Sequence, residues 1–147
     1  MKIDRAILMV DDEMIILLSL RQELRAKLGP AYRYEIARDA DEGLKAIEEL
    51  AADGVSVVLV ISDWLMPGMR GDEFLANVRA GHPEVKTIMV SGHADEDQLE
   101  RLRDSGALDA FFRKPWDPAR LARECGRLLA SPEAGVPPGA PPSVQPI

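Results

Sequence analysis

The chain reads as an α/β protein built on a parallel sheet, and three observations carry that reading. Five short apolar runs alternate with five stretches of helical periodicity, the pattern of strands joined by helical crossovers. The central run, residues 57–61 (VVLVI), is continuous and mostly β-branched, which suits a strand covered on both faces. Four of the runs end on polar residues: Asp11-Asp12, Asp63, Ser91 and Lys114. Open α/β sheets place their chemistry at the C-terminal tips of the strands, and in a parallel sheet, whose strands all run one way, the tips lie on one edge.

The elements follow in order. Residues 6–10 (AILMV) form a first buried strand that runs into Asp11-Asp12-Glu13. Residues 14–28 form a helix with Leu17, Leu20, Leu24 and Leu28 on one stripe, stopped by Gly29-Pro30. Residues 34–38 are a weaker strand. The helix over 39–52 opens on acids, which suit its dipole, and carries Leu44, Ile47 and Ala51. After the central strand the chain breaks at Pro67-Gly68, and a helix over 72–80 carries Phe74, Leu75 and Val78. Residues 87–90 (TIMV) are the fourth strand. Asp95 with Gln98 three positions later resembles a capping box, so a helix runs to about residue 105, anchored by Leu99 and Leu102. A short strand, 109–113, leads into Lys114-Pro115. Asp117 caps the last helix, with Pro118 in its first turn and Leu121, Cys125, Leu128 and Leu129 as its buried stripe.

Composition narrows the classes. A formal charge of −7 and a pI near 4.9 argue against direct nucleic-acid binding and against an anionic membrane surface. One cysteine makes no internal disulfide and fits a reducing compartment. The apolar stretch before Asp11 is too short for a signal peptide and no run approaches a membrane span, so a cytoplasmic location is expected. Residues 131–147 hold six of the 11 prolines and almost no charge. They are expected to be a disordered, polyproline-like tail or linker, and a PxxP reading of Pro138–Pro141 is the weaker alternative. Residues 1–130 are then the folded domain.

The strand tips set three carboxylates, Asp11, Asp12 and Asp63, against one lysine, Lys114. At an effective dielectric of ~20, two like charges ~4 Å apart repel by about 4 kcal/mol. Such a cluster protonates one member or binds a cation. A small set of hard oxygen ligands suits Mg²⁺, which often shares its site with phosphate. The chemistry implied is phosphoryl transfer onto a carboxylate. Taken singly, each residue has a plainer role. Asp11-Asp12 could only begin a helix, Lys114 could be a surface lysine, Phe111 plain core and Ser91 a turn residue. Two isolated histidines, His82 and His93, do not suggest zinc.

VDDE (10–13), SDWLMPGMRG (62–71), MVSGHAD (89–95) and FFRKPW (111–116), in that order and spacing, resemble the receiver domain of two-component response regulators over roughly residues 5–130. The resemblance implies a flavodoxin-like, doubly wound five-stranded sheet of order 2-1-3-4-5 with five helices; a protein of this family is the standard example of that order. It further implies Asp63 as phosphoacceptor. Asp12 would bind Mg²⁺ directly, Asp11 mainly through water, and Leu65 through its backbone carbonyl. Lys114 would pair with Asp63 and later with the phosphoryl group, to which Ser91 would donate its hydroxyl. Phe111 matches the aromatic that moves inward with that serine, and the Lys114-Pro115 bond is expected to be cis, the isomer proline allows most readily. The donor would be a sensor histidine kinase or a histidine phosphotransfer protein. The modified chain would signal to a downstream protein through residues 95–129, and a phosphorylation-dependent homodimer is compatible with this. Catalysis would be limited to the chain's own phosphorylation and dephosphorylation.

Three features are particular to this chain. Leu65 and His93 stand two positions after the acceptor and after Ser91, where in the family they flank the water path to the phosphoryl group. Leu65 is expected to shield it, and His93 to counteract this by orienting water. Arg70 stands where an acid is frequent in the family. Within Met14-Ile15-Ile16-Leu17-Leu18 one helix face cannot bury five residues in succession. At 3.6 residues per turn Ile15 points roughly 160° away from Leu17, so Ile15, with Trp116, is a candidate for kinase docking.

Among other readings, a haloacid-dehalogenase-type phosphatase wants a second aspartate two positions after the nucleophile, where this chain has Leu65. A flavodoxin-like FMN carrier wants a hydroxyl- and glycine-rich loop after the first strand, where this chain has DDEM. A receiver serving as one module of a longer regulator, with the proline-rich segment as linker, fits every feature above.

Overall fold

The computed structural model describes residues 2–93 and 95–130. The proline-rich segment, its PxxP reading included, lies outside the described residues. The elements run β1(Arg5–Val10), α1(Met14–Leu28), β2(Arg33–Ala37), α2(Ala40–Ala52), β3(Ser56–Ser62), α3(Gly71–Gly81), β4(Lys86–Ser91), α4(Glu96–Asp104), β5(Ala110–Arg113) and α5(Pro118–Leu129). All five strands are parallel, in the order β2-β1-β3-β4-β5. Each element falls within two residues of its expected place.

Alternation along the strands builds two core layers. Ala6, Leu8 and Val10 of β1 point to the side covered by α2, α3 and α4, where Phe74, Leu75, Val78, Leu99 and Leu102 are buried. Ile7 and Met9 point to the other side, where α1 contributes Leu17, Leu20 and Leu24 and α5 contributes Leu121, Cys125 and Leu128. The Cys125 thiol is free and fully buried, and burial pushes its pKa up to about 12; it is a core residue.

Three details differ from the sequence reading. In α2 the inward positions are Ala40, Gly43, Ile47 and Leu50, while Ala51 is exposed and Leu44 only partly buried. In α5 Leu129 is only partly covered. The β1–β3 pairing slips by one residue between Ala6 and Ile7, whose partners are Val57 and Leu59. The apolar run of β3 therefore hides a bulge at Val58, which a continuous hydrophobic string cannot reveal.

The strand ladders continue past their ends and so fix the functional edge. Asp11 N–H donates to Ala37 O (3.2 Å), Asp63 N–H to Val10 O (2.9 Å), and Lys114 N–H to Ser91 O (3.0 Å). These three bonds set the acidic residues of β1 and β3 side by side and bring Lys114 in from the sheet's far edge.

Candidate functional site

Asp11, Asp12 and Asp63 each offer a carboxylate oxygen, and these oxygens all lie within 4.8 Å of one another. Asp11 and Asp63 are buried, 2% and 7% exposed, while Asp12 opens to solvent. Lys114 Nζ reaches into the cluster, 2.7 Å from Asp11 Oδ2 and 3.3 Å from Asp63 Oδ2. The lysine thus serves both carboxylates and sits closer to Asp11, whereas the family resemblance gives it Asp63 as its partner. The second oxygen of each buried acid is held by backbone: Asp11 Oδ1 accepts from Glu13 N–H and Asp63 Oδ1 from Trp64 N–H, both at 2.8 Å.

The charge imbalance shows in the proton affinities. Burial, the largest cause, lifts the Asp11 carboxyl above its ordinary value; the bonds from Lys114 and Glu13 pull it down and the Asp63 charge adds to the rise. Burial works against the Lys114 ammonium, but the bond to Asp11 and the charges of Asp63 and Asp11 outweigh it, so its pKa is also raised. Both partners of the ion pair hold protons more tightly than usual, as groups in a site with surplus negative charge do. The same surplus is what a divalent cation relieves. A small set of carboxylate oxygens with one side open to water fits Mg²⁺, which keeps part of its hydration shell.

Ser91 is buried, and its Oγ donates to His93 O and accepts from His93 N–H, both at 3.1 Å. Its hydroxyl therefore belongs to the loop after β4 in this conformation. Phe111 is partly buried against the α2–α4 layer, and Lys114-Pro115 is the cis peptide. Leu65, 48% exposed, and His93 line one cleft of about 530 Å³ together with Trp64, Gly92 and Arg113. Arg70 forks onto Asp72 with bonds of 3.1 and 2.6 Å at the start of α3. Ile15 is 72% exposed, beside Leu18 at 45% and Met14 at 38%, as the helical geometry requires. Trp116 is half-buried against the α1/α5 layer and its indole N–H donates to Glu23 Oε1 at 2.8 Å.

Two positioning features were not read from the sequence. Gly71 begins α3 with its N–H donating to Trp64 O at 2.7 Å, and a Cβ there would stand 1.9 Å from Asp63 O. Any side chain would push the backbone of Asp63 itself. The signal was a glycine in the first turn of a helix, a residue that gives up side-chain packing and adds backbone entropy cost. Glu23 carried no signal, since its partner is 93 residues away.

A family model described as response regulator receiver domain matches residues 7–125. The chain is 34% identical over 123 residues to the sensor kinase CckA of Brucella abortus, covering 84% of this chain and 12% of that protein. It is 29% identical over 125 residues to the two-component response regulator ORR3 of Oryza sativa, covering 84% of this chain and 89% of ORR3. It thus spans only a small part of CckA, and likewise 22% of the hydrogenase transcriptional regulatory protein HoxA of Cupriavidus necator. A CheY-like receiver domain protein from Methanospirillum hungatei superposes with a TM-score of 0.73 at 33% identity, over 85% of this chain and 93% of the other.

Proposed function

The chain belongs to the response regulator receiver family, and on that premise we propose that it accepts a phosphoryl group on Asp63 from a phosphohistidine donor in a Mg²⁺-dependent reaction. The donor is a sensor histidine kinase or a histidine phosphotransfer protein, and α4, β5 and α5 report the modification to a downstream protein. The observation that carries this reading is the cluster of Asp11, Asp12 and Asp63 oxygens within 4.8 Å, with one lysine among them.

Asp63 acts as the nucleophile. Its carboxylate is held in one orientation by the Trp64 N–H and Lys114, so attack needs little reorganisation. Asp12 and Asp11, the Asp63 carboxylate and the Leu65 carbonyl would hold Mg²⁺, Asp11 mainly through water. When bound, the ion supplies positive charge to the phosphoryl oxygens and lowers their repulsion with the acids. Lys114 can exchange one carboxylate for a phosphoryl oxygen with a change in side-chain torsions alone. Ser91 becomes a donor to the phosphoryl group when its hydroxyl leaves the His93 carbonyl, and Phe111 then has room to turn inward. Kinase docking uses the exposed start of α1 around Ile15, together with Trp116 of the lysine loop. Ile15→Asp is expected to impair transfer from the kinase while leaving labelling by acetyl phosphate intact.

The test is intact-mass spectrometry with acetyl phosphate. One phosphoryl group is expected in the presence of Mg²⁺, none after chelation, and none in Asp63→Asn. Labelling that survives in Asp63→Asn contradicts the assignment. Leu65 shields the phosphoryl group from water across the cleft it shares with His93, so Leu65→Asn is expected to shorten the phosphorylated lifetime. A longer lifetime refutes the shielding role.

A further inference from the structure

The loop that carries Lys114 is braced from a direction the phosphoryl chemistry does not use. Residues 114–117 lie between β5 and α5 with no ladder of their own. At their start the Lys114 N–H is tied to Ser91 O. In their middle Trp116 packs on the α1/α5 layer, and its indole N–H reaches Glu23 Oε1 at 2.8 Å. Glu23 belongs to α1, the helix that follows directly from Asp11-Asp12. The acidic loop and the lysine loop are therefore joined twice, once inside the site by Lys114 and Asp11 (2.7 Å) and once outside it by Trp116 and Glu23.

The outer bond differs from the inner one in a way that matters. The inner bond must loosen whenever Lys114 turns to a phosphoryl oxygen. A bond from an indole N–H to a carboxylate is charge-assisted, and so shorter and stronger than a neutral one. Its donor is a rigid ring half-set in the core, so it holds while the lysine head moves. A long, flexible lysine places its ammonium well only if its backbone is fixed. We infer that the Trp116–Glu23 hydrogen bond is a strut that positions Lys114, which makes Trp116 and Glu23 positioning residues for the phosphorylation of Asp63. The inference rests on the phosphoacceptor reading above and adds to it two residues that touch neither the acids nor the phosphoryl group. It gives Trp116 a task besides docking, and it makes α1 the support of the lysine as well as the surface offered to the kinase.

The experiment is the labelling rate with acetyl phosphate at saturating Mg²⁺, followed by intact mass, with the melting temperature of each variant measured alongside. Trp116→Phe keeps the packed ring and loses the donor, and Glu23→Ala loses the acceptor. Each is expected to label roughly tenfold more slowly, short of the ~10²-fold that a full 1 Å misplacement at a reacting centre can cost. The double variant is expected to be no slower than either single one. Glu23→Gln, whose amide oxygen still accepts from the indole, is expected to keep the parental rate. A role in docking alone predicts instead parental labelling by acetyl phosphate and loss only of transfer from a phosphohistidine donor; that result overturns the strut. So do additive losses in the double variant, and rates that merely follow melting temperature without rescue by Glu23→Gln. A parental chain that takes no label at all refutes the phosphoacceptor reading itself, and the strut with it.

Discussion

The two ends of the same sheet each gather charge, and they resolve it in opposite ways. Where β4 and β5 begin, Arg79 meets Asp109 at 2.6 Å and also donates to Val85 O (2.8 Å) and to Gly106 O. Asp109 Oδ2 in turn accepts from the Thr87 N–H at 2.8 Å, and the Thr87 hydroxyl donates to Ala107 O at 2.6 Å. One cation faces one anion there and all three side chains are engaged. Where the strands end, three carboxylates share one lysine. The first cluster is complete and holds the α3, β4 and β5 segments together. The second is incomplete by construction, and its incompleteness is what points to a cation and a phosphoryl group.

That contrast sets opposite signs for similar substitutions. Asp109→Asn leaves the Arg79 guanidinium without its charged partner and weakens the bond to Thr87. A loss of about 2–3 kcal/mol is expected in denaturant unfolding, the scale of hydrogen bonds to charged groups, with no change in Asp63 labelling by acetyl phosphate. Asp63→Asn acts in the other direction when divalent ions are absent. Carboxylate oxygens within 4.8 Å repel by about 3 kcal/mol per pair at an effective dielectric of ~20. Lys114 offsets part of that, so a net gain of about 1 kcal/mol is expected from the same unfolding measurement in chelator. If both variants lose stability equally, the distinction between a complete and an incomplete cluster is wrong.

A smaller effect sharpens the comparison through pH. The Asp11 carboxyl has its pKa raised in the folded chain, chiefly by burial. Its contribution to stability is therefore full below the ordinary carboxylate value of 3.8 and is lost as pH rises through the folded value. Asp11→Asn, which stays neutral, is expected to be more stable than the parent at neutral pH in chelator, with the difference closing as pH falls toward that value. A difference that is constant with pH would show that the ionisation of Asp11 carries no penalty.

The sequence made the incomplete cluster legible and left the complete one hidden, for a physical reason. Asp11, Asp63, Ser91 and Lys114 each stand at the end of an apolar run, so strand periodicity alone brings them to one edge. Arg79 lies on a helix and Asp109 in a loop, and nothing local marks either as a partner of the other 30 residues away. Trp116 and Glu23 were opaque in the same way. The exposed Ile15 was legible because helical geometry is local. The bulge at Val58 was not, because it is a property of the pairing between β1 and β3 rather than of either strand. Gly71 was read as part of a motif, while its reason, the 1.9 Å approach of a Cβ to Asp63 O, is a tertiary fact.

The most direct measurement is a magnesium titration of the metal-free chain, read by melting temperature and by the fluorescence of Trp64, which is buried next to Asp63. The parent and Asp109→Asn are expected to gain stability along the same binding curve, by about 2.7 kcal/mol at a hundredfold excess over the dissociation constant, while Asp63→Asn gains far less. A parent that does not respond to magnesium, or an Asp63→Asn variant that responds as the parent does, would contradict the claim that the surplus charge at this edge is built for a divalent ion.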